Sequence, residues 1–135
     1  MRIAHLVALV AMATLASTTA AQESQLEVVI AAPTDSAITR TEAAMANAHL
    51  SIASVQGPVV TGTYTDGPLA VEIRATVIAV DSARSRVVIT GFGSAPAMFG
   101  MPKTRAQVTS ATGGKGKKAW AKMQQLAAAL ASATS

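Results

Sequence analysis

The sequence predicts an α+β domain: an antiparallel β-meander sheet with two helices packed on one face, in the order β-α-β-β-β-β-α. Three observations lead there. A short β-branched run, Leu26 to Ala32, is followed by a helix-forming segment, Ser36 to about Ala48. The hydrophobic period then falls to two, most clearly from Leu69 to Val80, with polar turns between the runs. A last amphipathic segment of period 3.6 closes the chain. Strands in succession with a helix near each end place both helices on one face of a single sheet.

Each element has its own warrant. The run Leu26 to Ala32 stops at Pro33, and Pro33-Thr34-Asp35 has the chemistry of a helix entry, with Thr34 or Asp35 as the expected N-cap. Within Ser36 to Ala48, the residues Ile38, Thr41, Met45 and Ala48 share a face and form a thin apolar stripe. Leu50 and Ile52 alternate, Gln56-Gly57 interrupts, and Pro58 to Tyr64 is rich in Val and Thr. Thr65-Asp66-Gly67-Pro68 is a turn, because Gly tolerates positive φ and Pro fixes its own. From Leu69 onward, Leu69, Val71, Ile73, Ala75 and Val77 point one way and Glu72, Arg74 and Thr76 the other, so Ile73 and Val77 are expected buried and Arg74 wetter. Asp81 to Ser85 turns the chain again, and Arg86 to Phe92 is a strand that Gly91 and Gly93 are expected to end. Residues 93–116 read as an irregular loop, broken by Pro96, Gly100, Pro102 and Gly113-Gly114. The final helix is expected from about Lys117 to Ser132, its apolar face built from Trp120, Met123, Leu126, Ala127 and Leu130, with Trp120 the main anchor.

The start of the chain carries an address. Met1-Arg2 is positive, Ile3 to Ala16 is an apolar run short for a bilayer span, and Thr19-Ala20-Ala21 offers small residues to a signal peptidase. The expectation is export to the periplasm or beyond, with cleavage near Ala21 and one small domain from Gln22 to Ser135. The sequence contains no cysteine, so packing rather than disulfides holds the fold and no thiol is present to carry a lipid anchor. No later stretch reads as a membrane-spanning helix. In element order and strand patterning, Leu26 to Ser132 resembles the helix-grip-like domains of small exported bacterial proteins, including lipoproteins attached to the outer-membrane assembly machinery. The resemblance implies the fold, and no residue role is carried over from it.

Charge divides along the chain. Between Gln22 and Asp81 stand seven acids against Arg40 and Arg74, net −5, and after Asp81 come eight basic residues and no acid. Either the two halves interleave and neutralise one another, or Arg84 to Lys122 forms a basic surface for an anionic partner.

Motifs exclude more than they assign. Val87 to Ser94 runs like a strand into a dinucleotide-binding glycine loop, but Pro96 stands where the third Gly belongs and no acid follows to hold a ribose. Gly113-Gly114-Lys115-Gly116-Lys117-Lys118 is not a nucleotide loop either, since Lys118 replaces the Ser or Thr that would hold magnesium and Ala111 the opening Gly. No cofactor or metal is expected. The lysines Lys115, Lys117, Lys118 and Lys122 are the candidate anion-binding residues, and the place of the first three at the positive end of a helix is unfavourable on structural grounds alone. Met98, Phe99 and Met101 are candidates for a lid or docking loop, or for a plug over an open end of the core. His49, alone in the mature chain, builds neither a metal site nor a triad and reads as decoration of a helix C-terminus. The functional expectation is an exported, non-enzymatic binding or envelope accessory domain. Its alternatives are a ligand carrier or small enzyme using a sheet-helix cavity, and an anion binder using the basic half. An anionic envelope component or a protein suits it as partner. Nucleic acid suits it poorly, because the basic stretch carries few aromatic stackers and the export signal removes the chain from cytoplasmic partners.

Overall fold

The computed structural model describes residues 23–95, 104–111 and 113–132. The chain forms β1 (Leu26–Ile30), α1 (Thr34–Asn47), β2 (Ser51–Gln56), β3 (Val59–Asp66), β4 (Leu69–Ala79), β5 (Ser85–Ala95), β6 (Thr104–Gln107) and α2 (Lys115–Ser132). The expected order is present, with one short strand, β6, added inside the segment read as a loop. The strands make one antiparallel sheet ordered β1-β5-β4-β3-β2, and β6 shares with β1 the outer side of β5. This α+β architecture is the class the patterning implies. The cleavage site near Ala21 and the loop residues Met98, Phe99, Met101 and Lys103 lie outside the described residues.

The alternation in β4 sets the layers. Val71, Ile73, Ala75 and Val77 are buried, whereas Arg74 is exposed. Across the sheet, Gly62 pairs with Ile73 and Ile73 with Gly91, so these three share the core face. Met45 of α1 lies over Gly62 and Met123 of α2 over Gly91, which puts both helices on that face. The core is completed by Ile30, Val60, Val87, Ile89, Leu126 and Leu130. Trp120 is buried at 8% exposure, less deeply than Met123, Leu126 and Leu130 at 0%. Two polar side chains in this interior are satisfied: Ser85 Oγ donates to the Ala32 carbonyl at 2.8 Å and Thr41 Oγ1 to that of Ala37 at 2.7 Å.

Several local expectations are corrected. The N-cap of α1 is Pro33, with no side-chain cap bond, so neither Thr34 nor Asp35 caps it, and the helix begins two residues before Ser36. Its buried face is Ala37, Thr41, Ala44 and Met45, and Ile38 is only half-buried. Gly91 and Gly93 do not end β5, which runs on to Ala95 because β6 takes up its free side past Ile89. The C-terminal helix starts at Lys115 rather than Lys117.

The end of α1 is tightly tied. His49 takes φ +63°, the Leu50 N–H donates to the Met45 carbonyl at 2.9 Å, and the His49 N–H donates to that of Ala46 at 3.0 Å. This is the Schellman pattern, in which a left-handed residue stops a helix and satisfies its last carbonyls. His49 therefore fills a backbone role.

Candidate functional site

The site lies where the β3–β4 turn meets the first turns of α2. Asp66 pairs with Leu69, leaving Gly67-Pro68 as a two-residue turn with Gly67 at φ +62°. Such hairpin turns need positive φ at their first residue, which Gly supplies. Gly67 has a second duty, because a Cβ there would stand 2.7 Å from Lys115 Nζ. The lysine passes over the turn, donating to the Asp66 carbonyl at 2.9 Å with its ammonium 3.9 Å from the Asp66 carboxylate. Turn and helix are thereby clasped.

A depression opens on each side of the clasp. One is a groove of about 470 Å³ whose walls include Leu69, Val71, Ala106, Val108 and Ala119, with Lys115 at its edge. Its floor exists because β6 joins β5: Ala106 pairs with Gly93, and the Val108 N–H donates to the Gly91 carbonyl at 2.8 Å. Its size falls within the range of small-molecule sites, and its lining has their mostly apolar character. The other is a polar recess of about 420 Å³ lined by Tyr64, Thr65, Asp66, Lys118, Lys122 and Gln125.

The lysines separate by role. Lys115, Lys118 and Lys122 follow i, i+3, i+7 spacing and form one stripe down α2. Lys117 sits roughly 200° round the helix from Lys115 and is not part of that stripe. Lys122 is engaged structurally: its Nζ donates at 2.8 Å to the carbonyl of Ala48, the C-cap of α1, and lies 5.3 Å from the Tyr64 ring centroid. A cation at a helix C-terminus and over an aromatic face is favourable on both counts. Burial, and then the Asp66 charge, hold the Tyr64 phenol above its ordinary value, so it remains a neutral hydroxyl in the recess at physiological pH. Lys118 is exposed and faces the recess. The main-chain amides at the helix start offer less, since the Gly116 and Lys117 N–H groups donate to Gly113 and Gly114 at 3.1 Å.

The charge halves do interleave. Arg105 meets Glu72 at 3.2 Å and Lys115 meets Asp66, so basic residues of the second half pair with acids of the first. On the sheet face away from the helices, Arg74 also binds Glu72 at 2.9 Å, and both guanidiniums lie over Phe92. Among the described residues no group of three or more His, Cys, Asp or Glu is placed to hold a metal ion. Nor is any helix there long and apolar enough to cross a membrane.

Sequence reading named the lysines and missed the groove beside them. Leu69 and Val71 were assigned to the core face, but Ala106 and Val108 lay inside the presumed loop. The usable signal was faint: Arg105, Ala106, Gln107 and Val108 alternate polar and apolar over four residues. Comparison with protein-family models, with curated proteins and with solved structures finds no match.

Proposed function

We propose that this chain is an exported, non-catalytic binding domain for an amphipathic anion, such as a fatty-acyl carboxylate or an anionic acyl-bearing envelope component. The carrying observation is the position of Lys115 between an apolar groove on one side and a lysine-bearing recess on the other. A ligand with its hydrocarbon in the groove meets the Lys115–Lys118 stripe with its head. The address read from residues 1–21 supports export, and the helix-grip-like element order is in keeping with an envelope role. The amides already bonded at the helix start leave the side chains as the recognition elements.

Magnitudes make the proposal testable. Each methylene moved from water into the groove contributes ~0.8 kcal/mol, about a fourfold gain in affinity. Affinity for straight-chain carboxylates, read by displacement of an anilinonaphthalene sulfonate dye, should therefore climb with chain length until the groove is full. Ala106→Trp, at an exposed wall position, should abolish binding of both dodecanoate and dodecanol. Lys118→Glu should weaken dodecanoate at least about tenfold while leaving dodecanol unchanged. Chain-length-independent binding, or full binding by Ala106→Trp, overturns the assignment.

A further inference from the structure

Among the described residues three polar side chains are buried, and two of them are satisfied within the protein: Thr41 and Ser85 donate to backbone carbonyls. The third, Thr61, is 8% exposed and its hydroxyl has no hydrogen-bond partner among the described residues. A buried hydroxyl costs free energy unless something meets it. No described side-chain oxygen or nitrogen sealed from solvent lacks a partner, so the Thr61 hydroxyl is reached from outside. Its neighbours Val60 and Gly62 are core positions, which turns Thr61 to the sheet face away from the helices. There it lines a recess of about 370 Å³ together with Ser54, Gln56, Glu72 and Arg74.

The strands assemble this recess. Thr61 lies opposite Arg74 of β4 and Ser54 of β2, in one row across three strands. Ser54 owes its place to a bulge. With Ile52 opposite Gly62, a regular ladder would set Ala53 against Thr61 and turn Ser54 to the helix-bearing face. The extra residue instead puts the Ser54 hydroxyl beside that of Thr61. Arg74 is anchored, its Nε 2.9 Å from Glu72 Oε2 and its guanidinium carbon 5.7 Å from the Phe92 ring centroid. Arg105 meets Glu72 at the same oxygen, at 3.2 Å, which leaves Oε1 to accept. Two guanidiniums thus surround one carboxylate, and the site carries one positive charge in excess.

We infer that this recess binds a hexuronate. The remaining N–H groups of Arg74 offer a planar fork to a carboxylate. Sugar hydroxyls donate and accept, so they can donate to Glu72 Oε1 and bond the Ser54 and Thr61 hydroxyls and the Gln56 amide. Both halves of the ligand are needed. A bare carboxylate brings no donor for Glu72 and leaves Thr61 unmet, whereas a neutral sugar leaves the excess charge uncompensated. A doubly charged phosphate is repelled more strongly by Glu72. The volume falls within the range of small-molecule sites. The recess and the apolar groove lie on opposite faces of the sheet, so this assignment stands apart from the acyl-ligand one.

Amide chemical-shift titration of the full chain with sodium D-glucuronate, to about 50 mM, tests this. Ser54, Gln56, Thr61, Glu72 and Arg74 should shift and saturate together. D-glucose and acetate, each with half of the recognition, should bind at least about tenfold more weakly. Thr61→Val keeps the β-branched shape, removes only the hydroxyl, and should weaken glucuronate about three- to tenfold. Arg74→Gln should bring glucuronate down to the level of glucose. Neither replacement alters the core face, and an otherwise unchanged amide spectrum checks that each variant is folded. An absence of saturating shifts overturns the inference. So does acetate or inorganic phosphate binding as tightly as glucuronate, or full affinity in folded Thr61→Val.

Discussion

Gly62→Ala measures how closely α1 lies on the sheet. Gly62 sits in β3 on the core face, beneath the Schellman end of α1, where the two residues that motif brings together converge on it. A Cβ built there stands 2.9 Å from Met45 Sδ and 3.2 Å from Leu50 Cβ. The methionine is flexible and can yield, but the Leu50 Cβ is fixed by the backbone, so some of the crowding has no cheap relief. Overpacking of this kind costs about 1–3 kcal/mol. Removing glycine's freedom from the unfolded chain returns ~0.4–1 kcal/mol. The net expectation is a loss of about 1–2 kcal/mol, seen as a fall in melting temperature of roughly 4–8 °C per kcal/mol. A double-mutant cycle in urea separates crowding from other causes. Met45→Ala alone should cost about 2–5 kcal/mol by opening a cavity. In combination, the new methyl partly fills that cavity, so the pair should cost at least about 1 kcal/mol less than the sum. Additivity, or a Gly62→Ala protein more stable than its parent, would refute the close packing of Met45 and Leu50 over β3.

Other outcomes follow from the same packing. Trp120→Ala should cost ~3–5 kcal/mol, and the parent should emit as a buried indole; emission typical of exposed tryptophan contradicts the placement. Ile73→Ala should cost about 2–5 kcal/mol by equilibrium unfolding, while Arg74→Ala next to it changes stability by less than ~1 kcal/mol, and equal losses would mean that the strand faces were misassigned. His49→Gly should stabilise by about 0.5–1 kcal/mol, since glycine adopts the left-handed position without the Cβ clash, and a loss of stability would show that the imidazole itself matters. The Asp81 carboxylate accepts from the Ala83 N–H and from Arg84 Nε, each at 2.9 Å, and these bonds hold it below its ordinary value. Its contribution is therefore complete above the unfolded-state value and fades as pH falls through the lowered one. A carboxyl titration followed by nuclear magnetic resonance should place its midpoint below that of the unfolded chain, and a midpoint at or above it would contradict the turn geometry.

The strands with a long alternation were legible, and the one whose alternation covers only four residues was hidden. β4 announces itself, because Val71, Ile73, Ala75 and Val77 face a core and Glu72 and Arg74 face water. β6 has no such contrast: Thr104 to Gln107 is exposed along its length, and it is a strand because β5 extends past β1 with unpaired backbone groups. That is a tertiary cause with almost no trace in local composition. Gly91 and Gly93 misled for a related reason. Glycine usually marks a break, yet Gly91 lies inside β5 because Met123 needs the space of a missing side chain. The cap of α1 was misplaced by one or two residues because Pro33 takes an extended conformation and enters the helix with no side-chain bond. The lysines were visible in sequence, but as a group that included Lys117 and left Lys115 outside the helix, so their stripe was not. Nor was the groove that the stripe borders, since the groove is assembled from β4, β5, β6 and α2, whose meeting depends on the concealed strand.

The central claim is that the groove and the stripe form one site, and chemical-shift mapping with dodecanoate tests it most directly. Amide shifts on titration should concentrate at Leu69, Val71, Ala106, Val108 and Ala119, together with Lys115 and Lys118, and should saturate as one event. Dodecanol should move the groove residues and leave Lys118 in place. Shifts confined to the lysines, or spread over the opposite sheet face at Phe92 and Arg74, would contradict the account.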